Sequence, residues 1–212
     1  MHIRAETLFL TLASTLPKVD ALITTGGVSL GELDLLKPTI QHSLKGTIHF
    51  GRVAMKPGKP TTFATVPSAT ASSAPASDTK NKLIFALPGN PASALVTYHL
   101  FVLPALRQFA GHSDGRNHLP KVQVTLAQDV RLNPRPEYVR AVVRWDGEKG
   151  GMIAETTGGQ RSSRVGSMLS ANALLCMPAL VSEEPGNKST GTVPMGNKVD
   201  ALLMGHVVGM TV

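Results

Sequence analysis

The sequence predicts an α/β domain followed by a small all-β domain. Two glycine-rich turns, residues 24–27 (TTGG) and 87–91 (LPGNP), each follow an apolar, strand-like run and open onto a helix-like segment. Strands that alternate with helices in this way are typical of α/β folds. After residue 119 the pattern changes to short segments with a period of two, which is typical of half-buried strands. The predicted domains are residues 1–113 and 114–212.

Helix boundaries in the first domain are predicted from capping and proline signals. A capping-box spacing and an Asn-Pro pair mark two helix starts. Pro17 should end the first helix, and Pro104 should kink or restart the last one, because proline has no N–H to donate. The predicted helices are Ala5–Leu16, one that begins at Ser29–Glu32, and one that runs from Pro91 through Leu103.

Eight strands are predicted from short apolar or alternating runs. They are Ala21–Thr25, Thr47–Met55, Thr61–Val66, Lys82–Leu87, Val122–Leu126, Tyr138–Trp145, Ala173–Met177 and Lys198–Met204. In the sixth strand Arg140 shares a face with Tyr138 and Arg144, and the glycines in residues 147–151 favour a hairpin after it. Residues 67–82, rich in Ser, Ala, Thr and Pro, are predicted to form a flexible inserted loop.

The composition favours an anionic partner. Lys and Arg outnumber Asp and Glu by 21 to 14, which gives a formal net charge of +7. A charge of this sign attracts anions without identifying one. Nucleic acid is disfavoured, because the basic residues are scattered and the aromatic residues that would stack on bases make up only 4% of the chain.

The cysteine, histidine and hydropathy patterns disfavour a disulfide-bonded protein, a structural metal site and a membrane protein. Cys176 is the only cysteine, so no intrachain disulfide can form, and its apolar neighbours predict a small buried side chain. The seven histidines show no metal-ligand spacing. No apolar stretch is long enough to span a membrane. We therefore expect a cytoplasmic protein without membrane insertion.

The turn at residues 55–60 (MKPGKP) is the most informative motif for function. Lys56 and Lys59 lie one tight turn apart, and Pro57 and Pro60 stiffen that turn. Two like charges held close together are unfavourable unless an anion bridges them. The motif therefore predicts an anion site, with a solvated surface turn as the alternative.

The two glycine-rich turns add candidate binding residues. Gly26 and Gly27 allow the backbone to approach a ligand closely. Gly89 and Asn90 precede another predicted helix N-terminus, where exposed N–H groups suit phosphate-like anions.

Ser29 and Asp34 lie near the start of the second predicted helix. Ser29 can donate its hydroxyl to a ligand or only cap the helix. Asp34, expected on the first turn or two, can hold Mg²⁺ beside a phosphate or only complement the helix dipole. Both alternatives stay open at the level of sequence.

The β half contributes Arg140 and Ser167, together with a polar segment at residues 158–164 (GGQRSSR). A guanidinium on a strand can hold an oxyanion in a rigid geometry. Ordinary surface hairpins are the alternative. No Ser/His/Asp or Cys/His arrangement is evident from spacing, which disfavours a hydrolase with a covalent nucleophile.

Five motifs in one order resemble a known family. They are TTGGVS with GxxD, MKPGKP, ALPGNP, RPEYVRA, and TGGQRSSR followed by SMLSANALL, from about Val19 to the C-terminus. This order is similar to that in the molybdenum-insertion domain of gephyrin and in molybdopterin molybdotransferases. The resemblance implies a partial three-layer molybdopterin-binding-type α/β domain without its first strands, followed by a β-barrel-like domain.

The resemblance also implies an activity and residue roles. The reaction joins molybdate to adenylylated molybdopterin and releases AMP, with Mg²⁺ as cofactor. The residues implied to hold molybdate are Lys56, Lys59, Pro60, Arg140 and Ser167. Asp34 is implied at the Mg²⁺-dependent pyrophosphate cleavage centre, so the implied catalytic residues are Asp34, Lys56 and Lys59. The implied pterin-nucleotide cradle includes Gly26, Gly27, Ser29, Gly89 and Asn90.

Partners and two alternative functions follow from the same resemblance. Full-length relatives imply a homodimer, and a molybdopterin adenylyltransferase partner or domain would supply the adenylylated pterin. One alternative is a non-enzymatic scaffold, because gephyrin also clusters inhibitory receptors. The other is a molybdopterin adenylyltransferase, which shares the TTGG turn. The KPGKP turn with an attached β domain disfavours that second alternative.

Overall fold

A computed structural model describes residues 5–28, 34–68, 81–112, 115–180 and 191–209. The chain divides into two units, one of residues 1–53 and 58–90 and one of residues 54–57 and 91–212. The predicted helix start at Ser29–Glu32 and most of the predicted loop lie outside the described residues. So do residues 113 and 114, and the predicted domain boundary there stays a prediction.

The first unit contains the α/β elements. Numbered along the chain, they are α1 (Ala5–Thr15), β1 (Ala21–Thr25), α2 (Leu36–Pro38), β2 (Thr47–Phe50), β3 (Thr62–Val66) and β4 (Lys82–Leu87). A 3-10 turn that contains Pro17 ends α1, as predicted, because proline cannot continue the hydrogen-bond ladder. A π-helical turn, Thr39–Ser43, continues α2.

The four described strands of this unit form one sheet in the order β1-β4-β3-β2. β1 and β4 are parallel, whereas β3 is antiparallel to both β4 and β2. β2 ends at Phe50 and not at Met55, so the predicted strand was too long. The chain leaves the sheet there, because the N–H of Val53 donates to the carbonyl of Lys59 at 2.9 Å and not to a sheet partner.

An aliphatic core supports the sheet. Its buried members come from α1 and the 3-10 turn after it, α2 and its π-helical continuation, β3, β4 and Val28, and Ile40, Ala64, Ile84 and Ala86 are fully buried. Burial of a side chain as large as Ile contributes about 1.5–3 kcal/mol, and burial of an Ala methyl contributes about 0.8 kcal/mol. With few aromatic residues, the core depends on close packing of small aliphatic groups.

The second unit begins with helices and continues as an all-β structure. Its elements are α3 (Pro91–Thr97), α4 (Leu103–Phe109), β5 (Lys121–Leu126), β6 (Val130–Arg131), β7 (Glu137–Asp146), β8 (Gly151–Thr156), β9 (Ala173–Met177), β10 (Thr192–Val193) and β11 (Lys198–Leu203). Helix α3 begins at Pro91, as predicted. A π-helical turn separates α3 from α4, and Pro104 lies in the first turn of α4, which agrees with the predicted restart.

Five strands close into a barrel in the order β11-β5-β8-β7-β9, and β6 pairs with β10 outside it. The alternation in β7 is confirmed for Val139, Ala141 and Val143, which are buried in the barrel core, but not for Trp145 further along the same face, which is exposed. The predicted hairpin after β7 is also confirmed, with Asp146 paired to Gly151. A mixed α/β chain with a barrel in its C-terminal part confirms the predicted fold class.

Cys176 lies on β9 and is free and half-buried. Burial raises the pKa of its thiol, and the negative charge of Asp200 raises it further. A thiol of this kind is a weak nucleophile at neutral pH. The sequence predicted a small buried side chain, and the structure corrects this to a half-buried thiol of low reactivity.

Candidate functional site

Lys56 is held in place by the start of β7. Its backbone N–H donates to the carbonyl of Pro136 at 2.9 Å, and its carbonyl accepts from the N–H of Tyr138 at 2.8 Å. Its Nζ lies 3.1 Å from Oε1 and 3.2 Å from Oε2 of Glu137. Lys56 is therefore fixed both through its backbone and through its ammonium group.

Glu137 is a site residue that the sequence did not predict. The side chain is only 5% exposed, and it is the described ion-pair partner of Lys56. Burying a carboxylate is costly unless a cation compensates it. The sequence feature that could have identified Glu137 is an acidic residue inside the basic motif RPEYVRA, directly at the predicted strand start.

Arg135 also attaches the turn at Lys56 to β7. Its Nη1 donates to the carbonyl of Met55 at 2.7 Å.

Arg140 is completely buried, although the sequence allowed a surface position on the outer face of its strand. Its Nε and Nη2 donate to Oγ of Ser167 at 3.1 and 2.9 Å, and Nη2 also donates to the carbonyl of Arg161 at 3.2 Å. Its Nη1 has no hydrogen-bond partner among the described residues. The structure therefore brings Arg140 and Ser167 together and leaves one buried cationic donor unused.

Burial lowers the pKa of the Arg140 guanidinium, and the charge of Glu137 partly offsets this effect. A guanidinium stays protonated in proteins even when its pKa falls. A buried cation with an unused donor is attracted to any anion that can reach it. This is the electrostatic character expected of an oxyanion site.

The segment at residues 157–164 is attached to β7 and does not form an isolated surface hairpin. Oε1 of Gln160 accepts from the N–H of Arg140 at 2.8 Å, and its Nε2 donates to the carbonyl of Arg140 at 3.2 Å. Oγ1 of Thr157 donates to the carbonyl of Ser167 at 2.7 Å. Gln160 and Thr157 thus hold the loop that supplies Ser167, a role that the sequence did not assign to them.

A cavity of about 440 Å³ adjoins Lys56 and Glu137 within the second unit. Its wall includes the side chains of Arg131, Gln128 and Gln160 as well as that ion pair. Polar and charged groups of both signs therefore surround it. A small tetrahedral oxyanion fits this volume easily and would meet Lys56 there.

In the first unit the two glycine-rich turns lie close together. The N–H of Gly26 donates to the carbonyl of Leu87 at 3.0 Å, and a Cβ on Gly89 would lie 3.4 Å from Cα of Gly26. Gly26 and Gly27 have φ angles of +83° and +67°, which side-chain-bearing residues rarely adopt. Asn90, exposed, directly precedes α3. Ser29 lies outside the described residues.

Asp34 lies two residues ahead of α2 and not within its first turn, so its predicted position is corrected. Its carboxylate accepts from the N–H of Leu36, and Oδ2 lies 3.7 Å from Nζ of Lys37. Oδ1 is buried without a hydrogen-bond partner among the described residues. Burial raises the pKa of Asp34 against the opposing charge of Lys37.

The unpartnered oxygen of Asp34 fits a Mg²⁺ ion. Mg²⁺ is commonly held by one or two carboxylates, substrate phosphates and water. Within the described ranges no group of three or more His, Cys, Asp or Glu side chains is assembled around a common point. A Mg²⁺ ion at Asp34 would therefore depend on phosphate oxygens and water for most of its ligands.

Lys59 and Pro60 belong to the first unit, whereas Lys56 belongs to the second. Lys59 is exposed, and its carbonyl accepts from the N–H of Val53. Gly58, between the two lysines, has a φ of +109°. The joint binding of an anion by Lys56 and Lys59 stays a prediction.

These features define a protein with a glycine-turn α/β unit and a barrel unit that carries a buried, partly unpaired cation. Residues 4–108 match the family model described as "Probable molybdopterin binding domain". Residues 123–202 match the model described as "MoeA C-terminal region (domain IV)". The chain belongs to the family of gephyrin and the molybdopterin molybdenumtransferases.

Individual relatives agree with this assignment. Gephyrin from Dictyostelium discoideum is 41% identical, with 96% of this chain and 28% of the relative covered. Molybdopterin molybdenumtransferase from Bacillus subtilis is 34% identical, with 80% of this chain and 36% of the relative covered. The chain therefore spans only 28% to 36% of the length of these relatives.

A solved structure shares the fold. The molybdopterin biosynthesis MoeA protein from Pyrococcus horikoshii superposes with a TM-score of 0.65 at 22% identity, covering 95% of this chain and 41% of that one. Identity at this level supports the fold alone. Separately, none of the described helices has the length and apolar character needed to cross a membrane.

Proposed function

We propose that this chain supplies the molybdate-binding part of a molybdopterin molybdotransferase, which joins molybdate to adenylylated molybdopterin and releases AMP. The observation that carries the proposal is the fully buried guanidinium of Arg140, whose Nη1 has no partner among the described residues. Keeping a cation out of water costs free energy. An oxyanion ligand would compensate that cost.

Within the second unit, Arg140, Ser167 and Lys56 are the proposed molybdate-binding residues. Arg140 offers planar, charged donors whose orientation Ser167 fixes, and Lys56 offers a second cation. Charge-assisted hydrogen bonds of this kind are the strong ones in proteins. Their role is to bind and orient the dianion beside the pterin dithiolene, whose sulfurs are the soft ligands that molybdenum would take. In the first unit, Lys59 and Pro60 are the proposed molybdate-binding residues.

Asp34 is the proposed Mg²⁺ ligand, since its buried Oδ1 lacks a partner among the described residues. When bound, the ion would neutralise phosphate charge during pyrophosphate cleavage. Gly26, Gly27 and Gly89, whose backbones lie close together, are proposed with Ser29 and Asn90 as part of the pterin-nucleotide cradle. The homodimer and the adenylyltransferase partner expected from full-length relatives belong to the same proposal.

The proposal is tested by two measurements on the purified 212-residue chain. The first is molybdate binding by equilibrium dialysis, with far-UV circular dichroism to verify folding. The second is AMP release from adenylylated molybdopterin on addition of molybdate and Mg²⁺. We expect saturable molybdate binding and molybdate-dependent AMP release. Absence of molybdate binding in a folded chain would contradict the proposed site.

A further inference from the structure

We propose that Glu137 competes with oxyanions for Lys56 and weakens their binding in proportion to their charge. The inference rests on the proposed function, which assigns an oxyanion to Lys56. It goes further by giving a role to a carboxylate that the family resemblance did not include. Glu137 would set how tightly the site holds molybdate.

The geometry shows that Glu137 already occupies the ammonium group of Lys56. Nζ donates a hydrogen bond to Oε2 at 3.2 Å and also lies 3.1 Å from Oε1, which is buried and has no hydrogen-bond partner among the described residues. The Glu137 side chain is 5% exposed, so water screens it weakly, whereas that of Lys56 is 33% exposed. The open side of the ammonium is therefore where an incoming anion can bind.

An oxyanion at that open side would feel the charge of Glu137. Two successive hydrogen-bond lengths separate the two anions, which gives a distance of about 6 Å. At that distance, water-like screening alone leaves a repulsion that weakens a dianion about tenfold and a monoanion about threefold. Weaker screening near a buried carboxylate makes both factors larger, and the dianion is always affected more.

A carboxylate that lowers the affinity of the site for molybdate is useful where molybdate must be transferred to a second substrate. Tight binding of the ground state does not accelerate the chemical step, and a tightly held oxyanion is released slowly. Glu137 also keeps Lys56 paired when the site holds no ligand, which avoids an isolated cation beside the cavity. Binding of molybdate then becomes an exchange of one anion for another.

The test compares two tetrahedral oxyanions of similar size, the dianion molybdate and the monoanion perrhenate. Their dissociation constants are measured at low ionic strength for the unsubstituted chain and for Glu137→Gln. The amide of Gln keeps an oxygen that accepts from Lys56, so the shape of the site is retained. We expect Glu137→Gln to bind molybdate about tenfold and perrhenate about threefold more tightly.

The matched control is Glu155→Gln, which removes the same charge from an exposed position on β8. Its affinity for either anion should stay within about twofold of the unsubstituted chain. Thermal unfolding of each variant verifies that the comparison is made on folded protein. A second variant, Glu137→Asp, keeps the negative charge and should not bind either anion more tightly than the unsubstituted chain does.

The outcomes separate the inference from the proposed function. Equal or weaker binding of both anions by folded Glu137→Gln would overturn the inference and leave Glu137 as a purely structural partner of Lys56. Failure of molybdate to bind the unsubstituted chain and every variant would instead overturn the proposed function, and the inference with it. Binding that becomes measurable only in Glu137→Gln would support the inference.

Discussion

The guanidinium of Arg140 donates two hydrogen bonds to one acceptor, the hydroxyl oxygen of Ser167. Oγ of Ser167 in turn donates its single proton to the carbonyl of Arg164 at 2.7 Å. The hydroxyl therefore has a fixed orientation and acts toward Arg140 only as an acceptor. In this way a short loop determines the direction in which the remaining donor, Nη1, is presented.

Ser167→Ala should both destabilise the chain and weaken molybdate binding. The substitution removes the acceptor of Nε and one acceptor of Nη2 in a fully buried guanidinium, and unsatisfied buried donors cost about 1–3 kcal/mol. The measurement is the free energy of unfolding in urea, followed by equilibrium dialysis with molybdate. Ser163→Ala is the control, because Ser163 is exposed in the same loop and its loss should change stability by less than about 0.5 kcal/mol.

Lys56→Gln should reduce molybdate affinity by about tenfold or more, since charge-assisted hydrogen bonds contribute about 1.5–3 kcal/mol. Gln retains a donor for Glu137, so the buried carboxylate keeps one hydrogen bond and the fold is expected to persist. The control is Lys121→Gln, an exposed lysine paired with Asp200 in the barrel, which should bind molybdate normally. Unchanged molybdate affinity in folded Lys56→Gln would remove Lys56 from the site.

Arg140→Ala is a poor test of molybdate binding, although the sequence allowed Arg140 a surface position. The side chain is completely buried and bonded to Ser167 and the carbonyl of Arg161, so its truncation leaves both a cavity and unpaired acceptors. We expect it to lower stability as well as molybdate binding. Lys56 is the better residue for separating binding from folding.

Asp34→Asn should remove a decrease in the free energy of unfolding that Asp34 causes as the pH rises above about 4. Burial raises the pKa of Asp34 above its ordinary value of 3.8, so the folded chain binds a proton more readily than the unfolded chain. Linkage then requires that its contribution to stability decreases as pH rises from about 4 through the folded pKa. The measurement is the difference in unfolding free energy between the unsubstituted chain and Asp34→Asn at several pH values from 4 to 7.

The same variant tests the proposed Mg²⁺ site. Asp34→Asn should lower Mg²⁺-dependent AMP release while leaving molybdate binding unchanged, because the proposed molybdate ligands lie elsewhere in the chain. Asp20→Asn is the control, since its side chain is 89% exposed. Equal Mg²⁺ dependence in Asp34→Asn and the unsubstituted chain would exclude Asp34 as the ligand.

Gly46→Ala should destabilise the first unit by about 1–3 kcal/mol through overpacking. A Cβ there would lie 2.8 Å from both Cγ2 of Ile40 and the carbonyl oxygen of Thr65. The control is Gly51→Ala, whose Cβ would come no closer than 3.4 Å, and then only to the flexible end of Lys37. Thermal unfolding of both variants gives the comparison, and equal melting temperatures would contradict the predicted clash.

Strands with a clear local pattern were predicted well from sequence. Ala21–Thr25, Lys82–Leu87 and Ala173–Met177 have the predicted bounds. Their apolar or β-branched side chains and flanking turn residues specify an extended, buried conformation without reference to distant residues. By contrast, the sequence predicted a hairpin after β7 but not the bounds of its second strand, β8 (Gly151–Thr156), because a glycine-initiated strand has little pattern of its own and is defined by its neighbours in the barrel.

The site residues also fall into those that the sequence predicted and those that only the structure identified. The sequence singled out Lys56, Arg140 and Ser167, because cations and hydroxyls in motifs suggest anion chemistry. It did not single out Glu137 or Gln160. Their importance comes from what they contact, namely the ammonium of Lys56 and the backbone of Arg140. A carboxylate or an amide is unremarkable until its partner is known.

The sequence by itself determined the strand and helix signals, the glycine-rich turns and the positively charged motifs, because these depend on neighbouring residues. Only the tertiary structure decided that Glu137 lies beside Lys56, from which it is separated by 81 positions along the chain. It also decided that the outer face of β7 at Arg140 is buried beneath a loop. Burial and ion pairing depend on which distant segments pack together, and local periodicity carries no information about that packing.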